Sequence, residues 1–210
     1  MDVLEAMQKR FSCRTYLDKE VKDEILYKIL EYANHAPSAG NLQTWRFIIV
    51  KDKNKKEDLV EACVKQDFII DAPVLILICG DEAYMQRFYK TKGSLYCIQE
   101  CAAVTQNILL AATSFGLGSC WIGAFDANMV KKILDIPENI MPYSIISIGY
   151  TNEKSSDKKT YDLNTKTYFN TYGSHIDDKN IFPLAKNIPK VEEKSKNSLN
   201  KIKNLFKKSK

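Results

Sequence analysis

The stretch that decides the fold of this 210-residue chain is APSAGNLQTWRF, residues 36–47. Its first half is rich in Pro, Ser, Gly and Asn, which are typical of loops, and Phe47 begins the apolar run 47–50, which predicts a buried strand. The amides of Asn41 and Gln43 both donate and accept hydrogen bonds. Such a loop suits the edge of a flat ring with alternating carbonyl and NH groups, although an ordinary helix-to-strand connection uses the same residue types.

Helical and strand patterns alternate on either side of this stretch. Upstream, apolar residues within 25–33 repeat at helical spacing, and Pro37 ends the helix. Downstream we predict an exposed helix at 53–66, a buried strand at 74–79 that Gly80 and Asp81 end, and a long buried helix at 96–115 that Gly116 ends. A short strand at 119–123, a short helix at 129–134 and a core strand at 143–150 follow. The alternation predicts a mixed α/β or α+β domain.

A candidate anion site lies near the N-terminus. Asp2 and Glu5 form a capping-box-like pair that predicts a helix start, and Arg10, Ser12 and Arg14 follow where this helix should end. Two guanidinium groups and a hydroxyl suit a phosphate group, but basic residues at a helix C-terminus also complement its dipole. One face of this helix is predicted to carry Val3, Ala6, Met7 and Arg10.

The third segment of interest is GLGSCWIGAF, residues 116–125. At Gly123 the absence of a side chain would let a backbone N–H approach a flat ligand closely. A glycine-bounded core strand, with Trp121 as a packing residue, is the other interpretation.

Composition and charge exclude several classes of protein. The chain is 45% hydrophobic and 27% charged, which is ordinary for a globular domain, and it has no apolar run long enough for a membrane span. Residues 151–210 carry 14 Lys and 7 acidic residues, whereas the rest is slightly acidic, so the net charge of +5 does not indicate a nucleic-acid-binding protein. Without a signal peptide we expect a cytoplasmic protein with reduced thiols.

The six cysteines lack the spacing of a metal site, and no metal is expected. Cys97 and Cys101 are one helical turn apart. They are interpreted as packing residues rather than as a redox pair.

Taken together, three segments in this order resemble the nitroreductase family: RFSCR at 10–14, the stretch 36–47, and 116–125. DAP at 71–73, QN at 106–107 and IGY at 148–150 support the resemblance, which covers residues 3–154. It implies a three-layer α+β sandwich with a central, mainly antiparallel sheet flanked by helices. It also implies an intertwined homodimer with FMN bound at the subunit interface.

The resemblance further implies roles for individual residues. Arg10, Ser12 and Arg14 would hold the phosphate and ribityl side of FMN, and the stretch 36–47 of the partner subunit would line the ring. The implied ring contacts are Pro37, Ser38, Ala39, Asn41, Ile122 and Gly123, and Gln43 would either contact the ring or support a residue that does. NADH or NADPH would reduce the flavin, which would then reduce a nitroaromatic, a quinone or a similar small acceptor in a ping-pong cycle. No side chain is predicted to act as a catalytic acid or base.

The chain also departs from the family pattern. A basic residue usually follows the last core strand to grip the phosphate; Lys154, Lys158 and Lys159 are candidates, and we favour Lys158. The acidic residue that often begins the long helix would be Glu100. Residues 82–94, where members of the family build a substrate lid, match nothing that identifies a substrate.

These points define the predicted domains. Residues 1–154 form the FMN-binding domain, 155–190 an extension that wraps the partner subunit, and 191–210 a Lys-rich amphipathic or disordered tail. The tail could contact an anionic membrane weakly, or it could be solvated.

Two alternative functions stay open at this stage. The first keeps the flavin but uses it for reductive dehalogenation or for oxygen-dependent breakdown of the flavin itself. The second is a non-enzymatic binding module whose basic tail contacts a membrane or RNA.

Overall fold

The computed structural model describes residues 1–155 and 160–174. The chain divides into two units, Met1–Ser156 and Asp157–Lys210. In the second unit the described residues include a 3-10 turn at Leu163–Lys166, which begins where the Asp162 side chain accepts a hydrogen bond from Asn164 N–H. The predicted tail at 191–210 and its membrane contact lie outside the described residues.

The first unit contains all the helices and strands that position the site. The helices are α1 (Val3–Lys9), α2 (Asp23–Ala33), α3 (Lys53–Ala62), α4 (Phe68–Asp71), α5 (Glu82–Tyr89), α6 (Gly93–Ser114) and α7 (Ala127–Ile133). The strands are β1 (Trp45–Val50), β2 (Val74–Asp81), β3 (Gly118–Ile122) and β4 (Ile140–Gly149). None of these helices combines the length and the apolar character that a bilayer crossing requires.

The four strands form one antiparallel sheet in the order β1-β2-β4-β3. β2 is central, which explains why every residue from Val74 to Gly80 is buried. Two expectations need correction here. β2 continues through Gly80 and Asp81, because β4 pairs with both residues and the Asp81 N–H also donates to Thr44 O. β1 is an edge strand, so Phe47, Ile48 and Ile49 are half-buried rather than buried.

Helices cover both faces of the sheet, which confirms the predicted three-layer α+β sandwich. Along β2, Ile76 and Ile78 point into a core shared with α2 and α6. Leu75 and Leu77 point into a second core shared with α3 and α7. This alternation follows from the two-residue period of side chains along a strand.

The long helix α6 is confirmed, with a corrected start. It begins at Gly93, where an added Cβ would lie 2.7 Å from the backbone of Gln86 in α5. Glu100 therefore lies inside the helix and does not begin it. The sequence prediction began too late because the first turn of α6 lacks the strong apolar spacing of the rest of the helix. At the other end Gly116 has φ +74° and its N–H donates to Thr113 O, as predicted for a left-handed helix end.

The first helix begins as predicted, since the Asp2 side chain accepts from Glu5 N–H at 2.8 Å. Its predicted apolar face is not buried within the protomer. Ala6 is buried, but Val3 is 58% exposed and Met7 is 51% exposed. This surface is therefore available to another molecule.

All six cysteines are free and buried. Cys97 and Cys101 share the inner face of α6, and a hydrogen bond from the Cys101 thiol lowers the pKa of Cys97. Within the described residues no three His, Cys, Asp or Glu side chains are grouped to hold a metal ion.

Candidate functional site

The predicted phosphate clamp lies along the outer edge of the sheet. After α1 the chain runs parallel to β3, with a bridge between Ser12 and Ser119 and a 3.0 Å bond from Cys13 N–H to Ser119 O. Arg10 is half-buried, and Ser12 and Arg14 are exposed. The main chain of β3 therefore positions the clamp residues.

The three clamp residues lie near enough to the Cys120 thiol to affect its pKa. Burial raises the pKa of this thiol, whereas the charges of Arg14 and Arg10 and a hydrogen bond with Ser12 act in the opposite direction. Neither guanidinium group forms an ion pair with a carboxylate of the described residues. Arg14 lies over the ring of Phe68 at 5.8 Å. Both arginine side chains are thus free to bind an external anion.

A carboxylate from the end of the domain fixes this segment. The main-chain N–H groups of Arg14 and Thr15 donate to Oε2 of Glu153 at 2.9 and 3.0 Å. These bonds, above all the one from Arg14, lower the pKa of Glu153. The sequence carries no signal for this contact, which spans 139 positions. Of the basic candidates nearby, Lys154 is exposed, and Lys158 and Lys159 lie outside the described residues.

The donor-rich loop before β1 has an unusual backbone. Gly40, Asn41 and Gln43 have φ of 57°, 56° and 49°, and only the first of these residues adopts that region without cost. Two bonds with side-chain atoms hold the loop internally, Gln43 N–H to Ser38 Oγ at 3.3 Å and Gln43 Nε2 to Asn41 Oδ1 at 2.8 Å. Two main-chain bonds, from Asn41 N–H to Ser38 O and from Leu42 N–H to Ala39 O, add to them. Pro37 and Asn41 are exposed, and Ser38, Ala39 and Gln43 are half-buried.

Buried side chains attach this loop to the domain, and the sequence patterns did not identify them. Thr44 donates to Glu100 of α6 through its main-chain N–H at 2.6 Å and also through its hydroxyl. Trp45 Nε1 donates to Asn34 Oδ1 at 2.8 Å. In the sequence, the contact between Thr44 and Glu100 is indicated only by the single carboxylate, Glu100, within the largely apolar sequence of α6.

The end of β3 provides an accessible main chain. Gly123 is exposed, and the nearest atom to an added Cβ would be Nε1 of Trp121 at 3.5 Å. Ile122 is only 1% exposed and packs in the second core. A ligand contact from position 122 would therefore be made by its main chain rather than its side chain.

The clamp and the donor-rich loop lie at diagonally opposite corners of the sheet. The clamp lies at the β3 edge beside Ser119, and the loop enters the β1 edge at Trp45. Successive pairing places Ser119 opposite Ile148 and Val74, six residues along β2 from the partner of Trp45, which is Gly80. With strands about 4.8 Å apart and a rise of about 3.4 Å per residue, the two corners are roughly 25 Å apart. Within one protomer, Arg10, Ser12 and Arg14 therefore lie at the β3 edge of the sheet, whereas residues 37–43 lie at the opposite, β1 edge.

The predicted lid region forms α5 and the 3-10 turn Lys90–Lys92. Tyr84 and Phe88 are exposed and form an edge-to-face pair at 5.4 Å. The hydroxyl of Tyr89 lies 2.7 Å from the position that a Cβ on Gly40 would take. α5 therefore contacts the donor-rich loop.

The chain is similar to known proteins both in sequence and in structure. The sequence profile of the nitroreductase family matches residues 7–66 and 61–150. A candidate NADH dehydrogenase/NAD(P)H nitroreductase of Methanothermobacter thermautotrophicus is 37% identical over 166 residues, covering 77% of this chain and 84% of that protein. An FMN reductase [NAD(P)H] of Bacillus subtilis is 29% identical, covering 81% and 74%. The structure of an FMN-dependent nitroreductase of Clostridium difficile is 32% identical, with a TM-score of 0.70, covering 80% of this chain and 99% of that one.

Proposed function

The chain belongs to the nitroreductase family, and from this membership we propose that it is an FMN-dependent oxidoreductase that uses NADH or NADPH to reduce a small acceptor such as a nitroaromatic or a quinone. The names of its relatives, an FMN reductase and an FMN-dependent nitroreductase, support this proposal. When bound, FMN supplies the hydride chemistry, alternately accepting hydride from the nicotinamide and reducing the acceptor in a ping-pong cycle.

The observation that carries the proposal is the pair of unpaired arginines beside β3. Arg10 and Arg14 flank Ser12 in the segment that runs beside β3, with no carboxylate of the described residues in ion-pair contact. A guanidinium group binds two oxygens of a phosphate through its fixed fork of donors. These residues therefore fit the phosphate of FMN, and the exposed Lys154 is near enough in sequence to Glu153 to assist. Lys158, outside the described residues, remains a sequence-based proposal.

The ring of FMN would lie between the main chain at Gly123 and the loop 37–43 of a second subunit. Asn41 is exposed and Gln43 is half-buried, and the donors and acceptors of their amides match the carbonyl and NH groups of the ring edge. Pro37, Ser38 and Ala39 would form the wall of the pocket, and the main chain at Ile122 would continue the surface next to Gly123.

The placement of the two segments supports a homodimer. A distance of roughly 25 Å between the corners of one sheet is too long for one FMN molecule to bridge, so we propose that each site combines the clamp of one subunit with the loop of its partner. Exposed apolar side chains support an interface between copies. They lie on three helices: Val3, Leu4, Met7, Tyr27, Tyr32, Leu95 and Ile98.

The first experiment is to purify the protein and record its visible absorbance after addition of FMN. We expect flavin absorbance that stays with the protein on gel filtration, and oxidation of NADH or NADPH that a nitroaromatic or quinone accelerates. Protein that retains no flavin and does not oxidise either nicotinamide would refute the proposal. Including a halogenated aromatic and an aerobic flavin-stability assay tests the dehalogenase and flavin-fragmenting alternatives.

The second experiment tests whether the clamp residues bind FMN. The Arg10→Ala/Arg14→Ala variant should lose FMN binding, whereas Lys51→Ala, which also removes a surface cation, should keep it. Lys51 is a suitable control because it pairs with Asp23 at the far edge of the sheet.

A further inference from the structure

The loop that is proposed to line the flavin has a strained backbone. Asn41 and Gln43 occupy the left-handed region of φ, which residues with side chains adopt at a cost in free energy unless the surrounding structure imposes it. The four internal bonds of the loop, two with side-chain atoms and two of the main chain, join only residues 38–43 to one another. An anchor outside the loop must therefore impose this conformation.

Glu100 of α6 is that anchor. Its side chain is 3% exposed, and its Oε1 accepts hydrogen bonds from both the N–H and the hydroxyl of Thr44, the residue that ends the loop. Thr44 is itself completely buried, and its hydroxyl also lies 3.3 Å from the Cys97 sulfur. A carboxylate makes stronger hydrogen bonds than a neutral acceptor, so two such bonds fix both the position and the orientation of Thr44.

Burial of the Glu100 carboxylate does not favour the stability of the fold. The second oxygen of Glu100, Oε2, is buried without a hydrogen-bond partner among the described residues. No Lys or Arg of the described residues forms an ion pair with Glu100. A buried carboxylate with one unpaired oxygen destabilises the fold, whereas an apolar side chain at this position in α6 would be buried without that free-energy penalty. The arrangement therefore indicates a role in placing the loop.

We propose that Glu100 is a positioning residue for flavin binding, which acts through Thr44 to hold the loop 38–43 in the conformation that meets the ring. The proposal rests on the proposed function. Without the carboxylate, the N–H of Thr44 loses its acceptor, Gln43 and Asn41 relax from the left-handed region, and the donors of the loop no longer face the ring together. From α5, the Tyr89 hydroxyl lies beside Gly40 of the same loop.

Two variants and one control test the proposal. Glu100→Ala removes both bonds, whereas Glu100→Gln keeps an acceptor oxygen without its charge. Thr105→Val is the matched control, because Thr105 is also fully buried in α6, and its hydroxyl bonds to Cys101 O and Ser144 Oγ but not to the loop. All three should lower the melting temperature.

The first readout is the Kd for FMN, from quenching of flavin fluorescence. We expect Kd to rise about tenfold in Glu100→Ala, in line with the loss of a charge-assisted hydrogen bond, and about threefold in Glu100→Gln, which retains neutral bonds. Thr105→Val should keep the wild-type Kd. A wild-type Kd in both Glu100 variants, or an equal rise in Thr105→Val, would overturn the proposal.

The second readout needs no flavin. Hydrogen exchange of the amides of residues 38–44 should accelerate in the flavin-free Glu100→Gln protein relative to wild type and to Thr105→Val. If exchange is unchanged, the proposed role of Glu100 is wrong, even when the wild-type protein binds FMN. If exchange accelerates but the wild-type protein binds no FMN, the proposed function fails, and the control of the loop by Glu100 stands.

Discussion

Replacement of Arg14 by Ala tests the phosphate site most directly. The Arg14 side chain is exposed and has no carboxylate partner among the described residues, so the change breaks no ion pair of the free protein. A hydrogen bond to a charged group contributes about 1.5–3 kcal/mol, and exposure to solvent favours the lower end. Loss of about 1.5 kcal/mol corresponds to a Kd for FMN that is roughly tenfold higher.

The assay compares FMN with riboflavin, which has the same ring but no phosphate. Arg14→Ala should weaken FMN binding about tenfold in a fluorescence titration at fixed ionic strength and should leave riboflavin binding unchanged. Arg14→Lys keeps the charge but loses the fork of donors, so its loss should be smaller. If riboflavin binding falls as much as FMN binding, Arg14 acts on the ring or on folding, and the assignment of the phosphate is wrong.

Three further predictions concern assembly, pH and the core. Mixing refolded Arg10→Ala/Arg14→Ala subunits with Asn41→Ala/Gln43→Ala subunits should restore FMN-dependent activity that neither variant has, because the mixed dimer contains one intact site; no recovery would contradict the shared site. Glu153→Gln should reduce the melting temperature at pH 7, and this difference should shrink as the pH falls below 4.5. The pKa of Glu153 is depressed from 4.5 in the folded protein, so its stabilising effect is present above 4.5 and is lost as the pH falls through the lowered value; a pH-independent difference would count against this. Leu77→Ala should cost about 3 kcal/mol in urea unfolding, because Leu77 is fully buried in the central strand, whereas Ile49→Ala at the half-buried edge should cost about 1 kcal/mol.

The correct predictions from sequence share one property, which is that they depend on neighbouring residues. The helical spacing within 25–33, the apolar run 74–79 and the glycine at 116 each report on a local period or a local φ, and the structure confirms all three. The errors occurred where burial depends on distant partners. The run 47–50 has the composition of a buried strand, but its position at the sheet edge exposes it in part.

The same distinction applies to the candidate site. The residue types that suit a phosphate and a ring edge were visible in the sequence at 10–14 and 36–43, and the family resemblance joined them into one flavin site. The side chains that hold these segments were not visible, because Glu100 reaches Thr44 across 56 positions and Glu153 reaches Arg14 across 139. No local pattern encodes such contacts.

Local sequence thus determined the helices, the strands and the chemical character of the two binding segments, because spacing and backbone preference act within a few residues. Only the tertiary structure decided that the segments lie at opposite corners of one sheet, since strand order and register depend on how the whole chain buries its two cores. That separation supports, on structural grounds, the flavin site built by two copies of this chain that the family resemblance implied.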